Sequence, residues 1–337
     1  MTDLPFDSLA ALADSAPTLP GFDDGAADAA RARQDTLTKP PGSLGRLEEL
    51  AIFMAGWRGD PRPHVFDAQA LVFAGNHGIT ARGVSPFPPE VTAQMVANFE
   101  RGGAAINQLC RHAGARLSVV PLELDRPTAD FTEAPAMTEA ECLDAMRTGA
   151  EAVDPKCDVL ILGEMGIGNS TVSAALACAV CGGPAVDWVG RGTGADDAGV
   201  ARKIATVEAG LSRHADATGL AILAALGGRE QAAICGAILA ARVARIPVLL
   251  DGFICTAAAA PLFAADPAFL AHARVAHVSR EPGHARLCAA IGQDPLLDLG
   301  MALGEGTGAA LALSLLRAAL ECHNGMATFA EAGVAGG

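Results

Sequence analysis

The chain has 337 residues, 51% of them hydrophobic and 18% charged, with a formal net charge of −14. This length suits one large domain with a smaller one, or two equal ones, and the apolar surplus calls for a large core plus a covered surface such as a subunit interface. The acidic balance opposes nucleic acid and anionic membranes, which need clustered Lys and Arg, but leaves room for a small phosphate ligand in a local positive field.

In chain order, residues 1–20 carry three acids and no base, unlike a secretory signal. Helices are expected near 26–34 and, after the breaker Lys39-Pro40-Pro41-Gly42, at 44–57. From there strand, glycine loop and helix alternate. Strands are expected at 70–74, 117–122, 159–162, 185–189, 247–250 and 274–279. Helices are expected at about 91–113, 138–153, 170–181, 197–213, 229–244 and 253–264, with a last one at 311–320. Such alternation implies right-handed crossovers and a parallel sheet covered on both faces. The expected fold class is therefore α/β: a doubly wound, mainly parallel sheet of about six strands over 66–308, with a small helical subdomain from 1–65 plus 309–337.

The most informative stretch is 158–176. A β-branched run, Val159 to Leu162, meets a loop with Gly163, Gly166 and Gly168, then Asn169-Ser170-Thr171 and a small-residue helix. Strand, glycine turn and helix start aim backbone N–H groups and a helix dipole at a phosphate. The spacing is that of a P-loop, but Asn169 replaces the lysine that reaches a triphosphate, and Glu164 lies inside the loop. A singly phosphorylated ligand fits this better than a nucleoside triphosphate with magnesium. The uncharged run from Met165 to Val186 is broken by Gly182-Gly183-Pro184 and reads as a buried helix, not a membrane span. Nine cysteines, scattered through apolar segments, read as free thiols of a cytoplasmic protein, and Cys178-Ala-Val-Cys181 as core packing. The eight histidines show no H-E-x-x-H spacing, so no metal is expected; no cofactor is expected either.

Four glycine loops should meet beyond the carboxyl ends of the strands, where such sheets bind ligands. They are Gly75-Asn76-His77-Gly78, continuing to Gly83-Val84-Ser85-Pro86-Phe87-Pro88; the phosphate loop; Gly190 to Gly194 with Asp196, Asp197 and Lys203; and Leu303-Gly304-Glu305-Gly306-Thr307-Gly308. A carboxylate between two glycines has backbone freedom and close ligand access, and apolar surroundings would raise its proton affinity toward that of a general base. Plainer readings stand beside these. His77 can brace its own loop, Asp196-Asp197 can cap a helix, Lys203 can be solvated, and Glu305 can cap the helix that Thr307 begins.

The strings K-P-P-G-S-L-G-R-L-E from Lys39, F-A-G-N-H-G-I from Phe73, and G-V-S-P-F-P-P-E-V-T-A-Q-M from Gly83 resemble one family. So do G-E-M-G-I-G-N-S-T, G-R-G-T-G-A-D-D, L-D-G-F-I-C-T-A-A-A, S-R-E-P-G-H from Ser279, and L-G-E-G-T-G-A-A. It is the nicotinate-nucleotide–dimethylbenzimidazole phosphoribosyltransferases of cobalamin lower-ligand synthesis, and the resemblance covers the chain from about residue 30. It implies transfer of phosphoribose from nicotinate mononucleotide to a benzimidazole, giving nicotinate and α-ribazole 5′-phosphate. It also implies small-molecule substrates as partners, and a homodimer. By the same resemblance Glu305 is the general base, and Glu164 and Lys203 are further active-site residues. Gly166, Ile167, Gly168, Asn169, Ser170 and Thr171, with Gly192, Thr193 and Gly194, hold the phosphate and nucleotide. Ser85, Phe87, Gln94 and Leu303 border the base pocket. Two other readings of the sheet compete: a nicotinamide-dependent dehydrogenase, for which no G-x-G-x-x-G follows the first strand, and a nucleotide sensor without turnover.

Overall fold

The computed structural model describes residues 4–335; the outermost residues of the expected helical subdomain, 1–3 and 336–337, lie outside them. The chain opens with helices α1 (Leu9–Ala13), α2 (Asp24–Thr36) and α3 (Arg46–Arg58). Then come β1 (Ala68–Ala74), α4 (Glu90–Glu100), α5 (Ala105–Ala113), β2 (Ala115–Pro121) and α6 (Glu139–Glu151). The centre holds β3 (Val159–Met165), α7 (Asn169–Cys181), α8 (Asp197–Arg213), α9 (Ala221–Leu226) and α10 (Arg229–Val243). It closes with β4 (Val248–Leu250), α11 (Phe253–Ala265), β5 (Ala273–Val275), α12 (Pro282–Ala290), α13 (Thr307–Gly325) and α14 (Phe329–Ala332).

The strands form one parallel sheet in the order β2-β1-β3-β4-β5. The chain winds outward from β1 to β2, then crosses back to β3, so the winding direction reverses between β1 and β3. In doubly wound sheets this is where a ligand crevice opens. Burial on both faces follows from the period of two along each strand. Leu71, Phe73, Leu160 and Leu162 enter a core shared with α6, α7, α10 and α11. Their neighbours Ala70, Val72, Val159 and Ile161 enter the opposite core, against α3, α5 and α13.

Two expected elements differ. Residues 185–189 are not a strand: Ala185–Asp187 is a 3₁₀ turn after Pro184, and the Trp188 indole N–H ties it down by donating to the Gly182 carbonyl at 2.9 Å. The sheet thus has five strands, and the apolar residues that suggested a strand here, Ala185, Trp188 and Val189, are buried from a turn instead. The single helix expected at 91–113 is two, α4 and α5, parted at Gly102-Gly103. No helix among the described residues is long and apolar enough to cross a membrane.

Candidate active site

The carboxyl ends of β3, β4 and β5 open into a cleft of about 830 Å³, counted out to its mouth. Its walls bring together Ser85, Glu164, residues 166–170, Gly192, Thr193, Lys203, Leu303 and Glu305 from the four expected loops.

One end is built around Lys203. Asp196 caps α8 by accepting from the Gly199 amide at 2.7 Å, the plainer of the two readings for that acid. The cap sets the phase of the helix, and Lys203, one to two turns in, points inward and is 1% exposed rather than solvated. Its Nζ donates to Ser170 Oγ at 2.9 Å and to the Gly190 carbonyl at 2.8 Å. That leaves one of three N–H donors for a ligand. Burial lowers the ammonium's proton affinity, and Glu281 works against this. Glu281 also accepts from the Gly192 amide at 3.0 Å. Beside this group α7 starts at Gly168, in left-handed backbone (φ 93°) with no side-chain cap. An uncapped helix start beside a lysine is a setting for an anion. Behind the loop, Thr92 Oγ1 accepts from the Ile167 amide at 3.1 Å.

The other end is acidic. Glu164 lies on β3, buried, with its Oε2 accepting from the Asn169 side-chain amide. Its carboxyl is pushed up to about 8, first by burial, then by the nearby charges of Glu230 and Asp251, while the Asn169 hydrogen bond pulls it down. Glu305 is buried too, and its Oε2 has no hydrogen-bond partner. Its proton affinity is raised, chiefly by burial and further by Asp251, against the pull of the Ile106 amide.

Glu305 sits in left-handed backbone (φ 65°), between Gly304 (φ 84°) and Gly306 (φ 90°). A side chain in that region costs on the order of 1–3 kcal/mol and persists only where its surroundings over-determine it. Two features hold it. Gly163 on β3 lets the turn press against the strand: a Cβ there would come within 2.5 Å of the Glu305 backbone. Asp251, at the end of β4, accepts from the Gly306 and Ala309 amides at 3.0 Å each. Asp251, and not Glu305, therefore caps α13, while the Thr307 hydroxyl bonds the Gly304 carbonyl at 2.8 Å.

Four expected site residues stand off the cleft. Phe87 is 46% exposed, in a turn where its amide bonds Ser85 Oγ. Gln94 is on the exposed side of α4, whose buried side is Thr92, Val96 and Phe99. Thr171 is turned into the core of α7, and Gly194 lies beyond the cleft wall in a left-handed loop position. His77 braces: its Nε2 is 3.0 Å from Glu230 Oε1, both side chains fully buried, and its ring backs Gly166.

Sequence reasoning missed Asp251, His277, Ser279 and Glu281 on the cleft wall and Glu230 beneath it.

A fold of this order, with a lysine and an open helix start at one end of its cleft and buried carboxyls at the other, is the frame of a group-transfer enzyme acting on a phosphorylated substrate. A family model described as phosphoribosyltransferase matches residues 19–334, and the chain belongs to that family, the nicotinate-nucleotide–dimethylbenzimidazole phosphoribosyltransferases. It is an enzyme of phosphoribosyl transfer. It is 61% identical over 331 residues to the nicotinate-nucleotide–dimethylbenzimidazole phosphoribosyltransferase of Rhodobacter capsulatus, covering 98% of this chain and 99% of that one. With the protein of the same name from Ruegeria pomeroyi it shares 60% identity over 329 residues, 98% of each chain. The crystal structure of CobT from Thermus thermophilus superposes with a TM-score of 0.87 at 42% identity, covering 93% of this chain and all of that one.

Proposed function

We propose that this enzyme transfers phosphoribose from nicotinate mononucleotide to 5,6-dimethylbenzimidazole or a related base, releasing nicotinate and α-ribazole 5′-phosphate with inversion at C1′. The observation that carries the reading is the buried, unpartnered Glu305 oxygen in the same cleft as the Lys203–Ser170 group. The 5′-phosphate would sit at the start of α7, over the loop from Gly166 to Ser170, with the third Lys203 N–H and the turn at Gly192-Thr193 beside it.

The residue types suit the chemistry. The leaving group is already a pyridinium, so it departs as a neutral ring and needs neither acid nor metal. The incoming benzimidazole must lose one N–H as its other nitrogen attacks C1′. Glu305, its proton affinity raised by burial, takes that proton, a contribution of about 10²–10⁴ in rate. Holding the two rings in line supplies much of the rest. Ser85 and Leu303 would border the base, with Phe87 and Gln94 outside the first contacts.

Glu164 has a conditional role. With its carboxyl near 8 it is mostly neutral in the empty cleft, and the pyridinium cation of the mononucleotide draws its proton off. The resulting carboxylate faces the charge that develops at C1′. The reading also makes the protein a homodimer working on small molecules in the cytoplasm.

The test is a product assay: purified protein, nicotinate mononucleotide and a panel of bases, with products analysed by mass and anomeric configuration. The expected product is the α-ribotide with one nicotinate released per turnover. Binding of the mononucleotide without release of nicotinate would favour a sensor instead.

A further inference from the structure

We infer that Asp251 is a positioning residue for Glu305: it grips the start of α13 from the end of β4 and so fixes the left-handed turn that presents the Glu305 carboxyl to the cleft. The inference rests on Glu305 being the base of the proposed transfer.

Helix α13 runs for 19 residues, yet its N-cap, Gly306, has no side chain with which to satisfy the first amides. A local Ser, Asp or Thr would ordinarily do this. Here the acceptor comes from a different strand, 55 residues away in sequence, and it spans the turn with both oxygens: Oδ2 to Gly306 and Oδ1 to Ala309. Glu305 immediately precedes the first of these amides. With Gly304, Glu305 and Gly306 all at positive φ, the turn has no local preference that would hold it. The Asp251 bridge and the close contact with Gly163 supply the constraint from outside.

The same carboxylate bears on the Glu305 side chain. Asp251 from β4 and the Ile106 amide from α5 act directly on Glu305, while Glu164 from β3 and His277 beyond β5 line the same cleft. His277 Nε2 stands 3.5 Å from Asp251 Oδ1, and is itself held toward its charged form by Asp251 against the effect of burial. A negative group beside Glu305 disfavours a second negative charge, which strengthens Glu305 as a proton acceptor. Position and basicity thus come from one residue that need not touch substrate.

The experiment compares Asp251→Asn and Glu305→Gln with the wild-type protein, measuring kcat, KM for nicotinate mononucleotide, the pH profile of kcat/KM and the melting temperature. Asp251→Asn should lower kcat by roughly tenfold to a hundredfold, as a slight misplacement of a catalytic group does, with KM for the mononucleotide nearly unchanged. Its acidic limb should move to lower pH, because Glu305 loses a like-charged neighbour. A residue that merely caps α13 would lower the melting temperature and leave kcat and the limb in place; that result overturns the inference. If Asp251→Asn does not fold, Asp251→Ser, a shorter uncharged acceptor, decides by the same readouts. The parallel variant separates the two failures. Glu305→Gln turning over at the wild-type rate would sink the reading of the reaction, whereas an inactive Glu305→Gln beside an indifferent Asp251→Asn would sink this inference alone.

Discussion

At one end of the cleft a buried cation is engaged by neutral oxygens, Ser170 Oγ and the Gly190 carbonyl, and is held by geometry. At the other, carboxyls from β3, β4 and the turn before α13 crowd together, and one Glu305 oxygen has no partner. A satisfied buried group stiffens a site, whereas an unsatisfied one stores a demand for a proton or a ligand. On the proposed reading the lysine end, with two of its three N–H donors engaged, is the clamp for the phosphate. The acidic end is, on the proposed reaction, the part whose protonation would change during turnover.

The largest expected effect is at the acidic end. Glu305→Ala should fold and bind nicotinate mononucleotide, but lose about 10²–10⁴ in turnover; near wild-type turnover would remove Glu305 from its role and erase the contrast. At the lysine end, Lys203→Met should act mainly on binding, raising KM for the mononucleotide. It should also lower stability by about 1–3 kcal/mol, because the buried Gly190 carbonyl and the half-buried Ser170 hydroxyl lose their donor. Calorimetry and a melting curve check both parts. A loss confined to kcat, with KM unchanged, would make the lysine part of the chemistry and blur the distinction.

Glu164→Gln sharpens the comparison with a smaller effect. It should lower kcat by more than a few-fold and abolish the proton release that accompanies mononucleotide binding near pH 7, measured by titration in buffers of different ionisation enthalpy. Stability supplies a further sign. Glu164 is raised from 4.5 to about 8 in the folded protein, so its contribution is fully present below about 4.5 and is lost as pH rises through about 8. The glutamine variant, which is always neutral, should therefore gain in melting temperature relative to wild type between pH 5 and pH 9. A constant difference across that range would mean that Glu164 is ionised throughout.

The same contrast explains what the sequence disclosed. The phosphate loop and Glu305 were legible because glycines punctuate them, and backbone demands of that kind are local. Asp196 was legible as a cap for the same reason. Lys203 was ambiguous on its own, since a lysine on a helix is usually solvated; its burial is decided by the 190–194 loop folding over it. Residues 185–189 misled because four of the five, Ala185, Val186, Trp188 and Val189, are apolar and run into a glycine loop, while Pro184 and the bond from the Trp188 indole back to the Gly182 carbonyl make the segment a turn. Asp251, Glu230 and His277 were hidden for the strongest reason. Their meaning lies in how the ends of strands and the start of α10, distant in sequence, stand side by side in the fold, and no spacing along the chain encodes that neighbourhood.

The most direct measurement is a crystal of Glu305→Gln holding nicotinate mononucleotide and 5,6-dimethylbenzimidazole together. The expected picture has the 5′-phosphate at the start of α7 within reach of Lys203 Nζ, and residue 305 about 2.6–3.2 Å from a benzimidazole nitrogen. A phosphate seated away from that helix start, or a base with no carboxyl position near its ring nitrogens, would contradict it.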